Sequence, residues 1–404
     1  MISIEEAFEK LAATIAPIGV ETVSLAELAG RILQEDLSAD LDSPPYDKSM
    51  MDGFAVRSQD VTSKDKCFSI IETVTAGEQA SNRLVANSAT RIMTGAPIPE
   101  DADAILMVEL AEEIESNGQT QVRFDLDHVA PEKHLLRQGT NFSNGDVLFT
   151  KGTSIRAHDV GLLAEIGVTT AKVGTRPTIA VLPTGDELVG HAQKPSNAQI
   201  RNSNSPMISS LGRSLGFSVE ELEVGRDDEA QLRQLMQQAL QQDVLILTGG
   251  VSAGQKDLVP SVLKSLGVKE VFHKVRIKPG KPIWFGVTGD EKPTYVFGLP
   301  GNPVSSLVGF QLFVASALQG LMGGAIEHPK MITATLANGH QARGNRPTYW
   351  PAAWSAGSIT NAVEPLRWNG SSDLRALGLA DGFVFFDAQK LEFEAGEEVP
   401  FLSL

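Results

Sequence analysis

The chain of 404 residues has a single cysteine, Cys67. One thiol excludes disulfides within the chain and any thiolate metal cluster, and it predicts a cytoplasmic protein. The seven histidines show no spacing typical of metal ligands, so no histidine metal site is expected. No window approaches the roughly 18 uninterrupted apolar residues of a membrane-spanning helix. The N-terminus lacks a basic stretch followed by an apolar run, so no secretory signal is expected either.

Positive charge is also scarce. The chain has 34 lysines and arginines against 50 acidic residues, which gives a net charge of −16. Nucleic-acid binding needs a basic surface and is therefore not expected. The phosphate-binding pattern G-x-x-x-x-G-K-[ST] does not occur, so a Walker-type nucleotidase is not indicated. A chain of this length is too long for one core, so several domains are expected.

The pattern along the chain predicts a multidomain α/β and β fold. From Pro177 onward strands alternate with helices, which predicts a central α/β domain at 177–326, with a mostly parallel sheet and helices on both faces. Short apolar runs broken by turn residues predict an inserted, mostly β domain at 44–139. The C-terminal residues, 327–404, predict a small β-barrel-like domain. The remaining segments, 1–43 plus 140–176, flank this insertion, and the family resemblance given below implies that they form a discontinuous N-terminal linker and dimerisation domain.

The most informative segment is a glycine-rich loop after a predicted buried strand, Val244 to Leu247. Glycines at the end of a parallel strand expose backbone N–H groups that can approach a phosphate or another oxyanion. Asp257, at the exit of the loop, could hold a cation beside that anion. Taken alone, the loop is equally well explained as a structural turn. Its candidate binding residues are Thr248, Gly249, Gly250, Ser252 and Gly254.

Two further loops follow predicted strands of the same domain. Asp186 and Glu187 could ligate Mg²⁺, which prefers oxygen ligands and is usually bound together with phosphates. A polar turn explains the two residues equally simply. Asn302 and Pro303 suit the N-cap and the first position of a helix. The same helix start, with Ser305 in its first turn, could also bind an anion.

A basic segment stands out in a chain this acidic. Lys274, Arg276 and Lys278 alternate near a predicted strand at 271–277, so an extended chain through them would place all three on one face. Lys281 follows after a turn. An anion pocket and a solvated strand face both remain open for these cations.

Two segments of the predicted insertion carry turn signals. Residues 44–56 begin with Pro-Pro and contain Asp52 followed by glycine, whereas 91–99 contains Thr94 between a strand and a turn. Each segment taken alone is most simply a loop.

Taken together and in order, these segments resemble the MoeA family of molybdopterin molybdenumtransferases, which includes the E domain of gephyrin and its plant counterpart. The resemblance covers residues 3–390. The motifs that carry it are PPYDKSMMDGFAV, RIMTGAPIP, PTGDEL, GRDD, TGGVSAGQKD, KPGKP and GLPGNPVS.

The resemblance implies an enzyme that inserts molybdenum from molybdate into adenylylated molybdopterin, with Mg²⁺-dependent release of AMP. The family's functional residues fall on Asp52, Thr94, Glu187, Asp227, Asp257, Pro300 and Pro303. The implied Mg²⁺ ligands are Glu187, Asp227 and Asp257. The residues implied to receive molybdate are Arg276, Lys278, Lys281 and Ser305. The glycine loop would hold the phosphate end of the pterin.

The resemblance also implies partners. Family members are homodimers of four-domain subunits, in which each cleft combines the α/β domain of one subunit with Asp52 and Thr94 of the other. Transient contacts with the molybdopterin adenylyltransferase and with cofactor-accepting apo-enzymes are expected, whereas nucleic-acid and membrane partners are not.

Two departures from the family pattern are Asn141 and Asn202, which stand where an acid is usual. Asparagine keeps an acceptor oxygen and loses the charge, so metal affinity or turnover could be reduced, but activity is expected. Two alternatives remain. One is an adenylyltransferase, whose fold resembles residues 177–325 but lacks the flanking domains. The other is a non-catalytic scaffold of the gephyrin E-domain type.

Overall fold

The structure is a computed structural model that describes residues 1–116, 118–250, 258–355 and 361–404. The chain forms two compact units. The first consists of residues 1–35, 151–160 and 170–404. The second consists of residues 36–150 and 161–169. The second unit contains the whole of the predicted insertion, and the division into four domains stays a prediction.

A six-stranded sheet forms the centre of the first unit. Its strands are, in spatial order, Ser218–Glu221, Thr178–Pro183, Val244–Thr248, Tyr295–Leu299, Trp284–Val287 and Lys269–His273. The first four strands run parallel, and the last two join as antiparallel neighbours. The predicted mostly parallel sheet is therefore confirmed. Trp284–Val287 lies outside the predicted alternation of strands and helices, because no helix separates it from the strand on either side.

Helices cover both faces of this sheet, as predicted. They are Ile4–Thr14, Asn204–Ser214, Glu229–Ala239, Val259–Ser265 and the long helix that begins at Pro303. Side chains alternate along a strand, so Ile179 and Val181 pack in one apolar core while Ala180 and Leu182 pack in the other. The sheet is thus buried on both faces among the described residues, which leaves its strand ends for contact with a ligand.

The long helix runs through three segments, Pro303–Gly309, a π-helical turn at Phe310–Val314, and Ala315–Leu321. Its length and composition would suit a membrane span. However, 83% of its most apolar window is buried inside the fold, which is typical of the core helix of a globular domain.

The predicted strand at 271–277 is wrong in its second half. The strand ends at His273, because Lys274 has a left-handed backbone with φ of 69° that an extended strand cannot accommodate. Beyond it, Val275 and Ile277 are buried while Arg276 is exposed. The alternation therefore predicted the burial pattern correctly, although the backbone is irregular.

The C-terminal part of the first unit contains the predicted barrel. The barrel is closed, in the strand order Ile332–Leu336, Ala362–Pro365, Thr348–Trp354, Gly382–Phe386 and Glu398–Ser403. Shorter elements beside it are His340–Gln341, Glu392–Phe393 and the helix Leu374–Leu377. Near the N-terminus, Val20–Ser24 pairs antiparallel with Thr170–Gly174.

The second unit is mostly β, as predicted. Its six-stranded sheet has the order Ala104–Met107, Gly53–Val56, Ser88–Ile92, Cys67–Val74, Gln119–Phe124 and Ala111–Ser116. Short pairs join Leu37–Ser38 to Val147–Phe149 and Lys48–Ser49 to Leu135–Leu136. The helix Asp159–Glu165 contributes residues to both units.

Candidate active-site cavity

A cavity of about 790 Å³ opens in the first unit, where three neighbouring parallel strands end. Thr184, Gly249 and Pro300 each follow one of these strands directly and line the cavity. Ligands of open α/β sheets bind outside the carboxyl ends of the strands. The position of this cavity therefore agrees with a ligand site.

Glycine allows the loops around the cavity to approach one another. Gly249 has φ of 90°, and a Cβ atom there would lie 2.6 Å from the carbonyl oxygen of Thr184. Its N–H donates to the carbonyl of Leu299 (3.0 Å), and the Thr184 N–H donates to the carbonyl of Thr248 (3.0 Å). The three strand ends are thus joined by backbone hydrogen bonds that only glycine at 249 permits without strain.

Several polar atoms in the cavity wall are buried. Within the part of the chain that the structure describes, the hydroxyls of Thr184 and Thr248 and the Oδ1 atom of Asn204 have no hydrogen-bond partner. The first two residues are only 5% and 2% exposed. A buried polar group without a partner costs about 1–3 kcal/mol, so this wall suits a ligand that supplies polar partners.

Two predicted carboxylates line the same cavity, Glu187 and Asp227. The carboxylate of Glu187 folds over Gly185, where a Cβ atom would lie 2.6 Å from its Oε2 atom. Asp186, which the sequence also offered as a Mg²⁺ ligand, does not line the cavity. Its Oδ1 atom accepts a hydrogen bond from the backbone N–H of Asp227 (3.0 Å).

The donor chemistry of the cavity fits Mg²⁺. In the described ranges of the chain, no three histidine, cysteine, aspartate or glutamate side chains form a group that could hold a metal ion. The third predicted carboxylate, Asp257, lies outside the described residues, as do Ser252 and Gly254. Mg²⁺ is usually held by one or two carboxylates together with substrate phosphates, and Glu187 and Asp227 can supply those two.

The cavity brings together predicted residues from four separate motifs. Those that line it are Glu187, Asp227, Thr248, Gly249, Gly250, Pro300 and Pro303. It also contains residues that the sequence analysis did not select: Thr184, Arg201, Ser203, Asn204 and Ser372.

Ser372 reaches the cavity through contacts between distant segments. Asn302 occupies the predicted N-cap position, yet its Nδ2 atom donates to the Oγ atom of Ser371 (2.8 Å). The N–H of Val304 donates to the carbonyl of Ser371 (3.1 Å). Nothing in the sequence around residue 370 signals that it meets this helix start.

The predicted molybdate residues are not part of the cavity lining, although Pro282, directly after Lys281, belongs to it. Arg276, Lys278, Lys281 and Ser305 do not line the cavity. Lys278 donates to the carbonyl of Arg343 (2.9 Å), and Arg276 donates to that of Asn345 (2.9 Å).

These contacts place the basic segment beside two arginines of the barrel, Arg343 and Arg346. The guanidinium of Arg346 donates to the carbonyl of Ile277 (2.7 Å). Burial, together with Arg346 and Arg343, lowers the pKa of Lys278. Crowded cations of this kind are stabilised by an anion. Ser305 is buried, at 4% exposure, in the first turn of the long helix.

In the second unit, Asp52 is fixed by Thr94. Its Oδ1 atom accepts hydrogen bonds from the backbone N–H (2.6 Å) and the hydroxyl (2.8 Å) of Thr94. The backbone bond first, and then the hydroxyl bond, lower the pKa of Asp52. Gly53 follows, and a Cβ atom there would lie 2.0 Å from the carbonyl oxygen of Leu106. The motif therefore needs a glycine to present this exposed carboxylate.

The two asparagines that stand in place of acids make local contacts. In the second unit, Asn141 donates from its Nδ2 atom to the Oγ atom of Ser43 (3.1 Å). In the first unit, Asn202 lines the cavity and accepts from the N–H of Ser205 (3.2 Å). Both contacts use the amide without needing a charge, and their effect on turnover stays a prediction.

Comparison with known families places three matches along the chain. Residues 2–167 match the MoeA N-terminal region (domain I and II). Residues 180–320 match a family described as "Probable molybdopterin binding domain". Residues 333–404 match the MoeA C-terminal region (domain IV).

Full-length relatives agree with these matches. A protein of Staphylococcus epidermidis named molybdopterin molybdenumtransferase is 33% identical over 403 residues, which cover 98% of this chain and 94% of the relative. A protein of the same name from Staphylococcus aureus is 32% identical over the same shares of both chains.

Solved structures show the same fold. A molybdopterin biosynthesis MoeA protein from Pyrococcus horikoshii OT3 superposes with a TM-score of 0.81 at 26% identity and covers 100% of both chains. A second structure, also described as the MoeA protein of a Pyrococcus, has a TM-score of 0.75 at 30% identity. It covers 100% of this chain and 99% of the other.

Proposed function

The chain belongs to the MoeA family and is a molybdopterin molybdenumtransferase of molybdenum cofactor biosynthesis, and we propose that it acts on adenylylated molybdopterin. In this proposal molybdenum from molybdate is inserted between the dithiolene sulfurs, and AMP is released in a Mg²⁺-dependent step. The protein works in the cytoplasm, in keeping with its single cysteine.

The observation that carries this proposal is the cavity at the strand ends. Its volume of about 790 Å³ lies in the range of small-molecule sites. The hydroxyls of Thr184 and Thr248 lack partners within the described residues, and phosphate oxygens can accept hydrogen bonds from both. Gly249 and Gly250 both have positive φ and line the cavity without side chains, and backbone of this kind can approach a phosphate. Pro300 and Pro303 shape the wall and the start of the helix.

Glu187 and Asp227 are the residues that would hold Mg²⁺, with Asp257 as a third carboxylate from the motif. Bound there, Mg²⁺ would supply positive charge beside the phosphates of the phosphoanhydride. The chain's own contribution is to orient the phosphates with hydroxyl donors at the strand ends.

Molybdate is assigned to the basic segment, through Arg276, Lys278 and Lys281, with Ser305 nearby. Support comes from the cations that the structure gathers around Lys278. A lysine with a lowered pKa among arginines gains stability when a tetrahedral dianion approaches. Arginine offers paired donors to such an oxyanion, and lysine offers compact charge.

Asp52 and Thr94 are assigned to the cleft of a second subunit in a homodimer. The support is that Asp52 is exposed and already held by two hydrogen bonds, so it is ready to meet a ligand that its own unit does not enclose. Transient contacts with the molybdopterin adenylyltransferase and with apo-enzymes follow from the chemistry of substrate and product.

The test of this function is AMP release from adenylylated molybdopterin. We expect release to require both molybdate and Mg²⁺, and omission of either to abolish it. The control is molybdopterin with ATP, from which the protein should form no adenylylated product. No AMP at millimolar Mg²⁺, or adenylylation from ATP, would contradict the proposed reaction.

A further inference from the structure

The loops that carry Glu187 and Asp227 are joined by hydrogen bonds from residues with no assigned role. The N–H of Gly185 donates to the carbonyl of Gly225 (3.0 Å), and the N–H of Gly225 donates to that of Pro183 (2.8 Å). A Cβ atom at Gly225 would lie 2.7 Å from Cδ2 of the buried Leu232, so a larger residue there would require that side chain to shift. The two loops therefore form one backbone unit beside the cavity.

Arg226 links the same loops from the side. Its Nη1 atom donates to the carbonyls of Asp186 (2.8 Å) and Gly185 (3.3 Å). Its own N–H donates to the side chain of Gln231 (2.9 Å), in the first turn of the helix Glu229–Ala239. Asp228 caps that helix by accepting from the N–H of Gln231 (2.7 Å). The arginine is thus anchored at a helix start and holds the backbone immediately before Glu187.

Asp186 completes the link in the other direction. Its Oδ1 atom accepts from the backbone N–H of Asp227, so a side chain of the first loop fixes the backbone of the second. Glu187, its neighbour, lines the cavity, whereas Asp186 does not. Asp186 and Glu187, although adjacent in one motif, therefore make contacts that suit different roles.

We propose that Asp186 and Arg226 are positioning residues that hold the carboxylates of Glu187 and Asp227 at one fixed separation for a divalent cation. This inference rests on the proposed function for the role of those two carboxylates. Residues that orient metal ligands through hydrogen bonds typically change metal affinity or activity by about 10–100-fold when removed. Asp186 acts here through an acceptor oxygen and not through its charge.

The conservative variant separates this role from that of a ligand. Asparagine keeps an oxygen that can accept from the N–H of Asp227 but loses the negative charge. Asp186→Asn should therefore behave like the wild type, whereas Asp186→Ala should not. A carboxylate that binds the cation directly would be damaged by both substitutions, because an amide is a much poorer Mg²⁺ ligand.

The first experiment is hydrogen–deuterium exchange on the full chain without metal. Asp186→Ala should accelerate exchange of the Asp227 amide by roughly 3–10-fold, in line with the loss of one hydrogen bond, and Asp186→Asn should leave it within about twofold. Asp290→Ala, which removes an exposed carboxylate in the same unit, should leave it unchanged. Equal exchange in the wild type and Asp186→Ala overturns the proposal.

The second experiment titrates Mn²⁺, as a probe for Mg²⁺, by electron paramagnetic resonance. Asp186→Ala and Arg226→Ala should each weaken Mn²⁺ binding by about 10–100-fold, with Asp186→Asn close to the wild type. Arg213→Ala is the control for the arginine, since Arg213 also donates to a backbone carbonyl of this unit, that of Val219. If Asp186→Asn is as damaged as Asp186→Ala, Asp186 is a ligand and the positioning role is refuted.

These readouts also separate this inference from the proposed function. A wild type that binds Mn²⁺ but releases no AMP from adenylylated molybdopterin contradicts the proposed function alone, and the variants still decide the positioning role. A wild type that binds no Mn²⁺ removes the cation role of Glu187 and Asp227 and overturns this inference.

Discussion

The strand-end cavity and the Asp52 turn present their polar groups in opposite ways. In the cavity, the hydroxyls of Thr184 and Thr248 are buried and have no partner among the described residues. At the turn, the carboxylate of Asp52 is exposed and accepts two hydrogen bonds from Thr94. Within the part of the chain that the structure describes, the hydroxyls of the cavity lack hydrogen-bond partners, which a ligand can supply. The carboxylate at the turn already has its hydrogen-bond partners, but it is exposed.

The cavity and the turn are thus suited to a ligand in two different ways. Buried hydroxyls without partners lower the stability of the free protein, and a ligand recovers that free energy on binding. A carboxylate that already accepts hydrogen bonds from a threonine gains little free energy by rearranging when a ligand binds. It therefore supplies a negative charge at a fixed position. We therefore expect the cavity to be sensitive to substitutions that alter its shape, and the turn to be sensitive to changes of charge.

The largest expected effect combines both regions. Glu187→Gln and Asp52→Asn, each nearly isosteric, should each reduce AMP release by roughly 100-fold or more, because each removes a charge that we assign to the reacting site. A heterodimer that carries Glu187→Gln on one subunit and Asp52→Asn on the other should regain about half of the wild-type activity, since one of its two proposed composite clefts is intact. Two affinity tags allow its purification.

The control is Glu291→Gln, which removes an exposed charge from the same unit as Glu187 and should leave AMP release unchanged. A heterodimer as inactive as its parents would show that both residues serve a cleft within one subunit. Activity of either homodimer near the wild-type value would remove that residue from the site.

A smaller effect is expected from the shape of the cavity wall. Gly249→Ala places a Cβ atom 2.6 Å from the carbonyl oxygen of Thr184 at a residue with φ of 90°. Strain of this kind costs about 1–3 kcal/mol, so the urea midpoint of the unfolding transition should fall. Gly289→Ala is a matched control, because its Cβ atom would meet only the end of Lys269, at 3.6 Å. Equal midpoints for both variants would show that the loop relaxes without strain.

The sequence predicted which residues belong to the site better than it predicted how they are arranged in space. Strand periodicity and glycines located Thr248 and Gly249, and the motif order located Glu187 and Asp227, because these signals are local. The strand predicted through Ile277 failed, since the backbone of Lys274 is determined by long-range pairing of Val275 with Ile2. Ser372 was missed for the same reason, because its place depends on contacts with a helix that begins about 70 residues earlier in the chain.

The smallest effect concerns the charge at the turn. Thr94→Val removes the hydroxyl donor to Asp52 and leaves the backbone N–H in place, so the pKa of Asp52 should rise part of the way towards its ordinary value. Carbon-13 NMR of labelled aspartate carboxyls measures this directly.

The sign of the accompanying change in activity follows from the ionised form. A lowered pKa keeps Asp52 charged as the pH falls, so raising it should move the acidic limb of AMP release to higher pH and leave the rate at neutral pH within about threefold. Thr75→Val is the matched control, because Thr75 donates in the same way to Glu78 in the same unit. If the acidic limb stays in place while the pKa of Asp52 rises, the charge of Asp52 is not required for AMP release. The expected difference between a turn that depends on charge and a cavity that depends on shape would then be refuted.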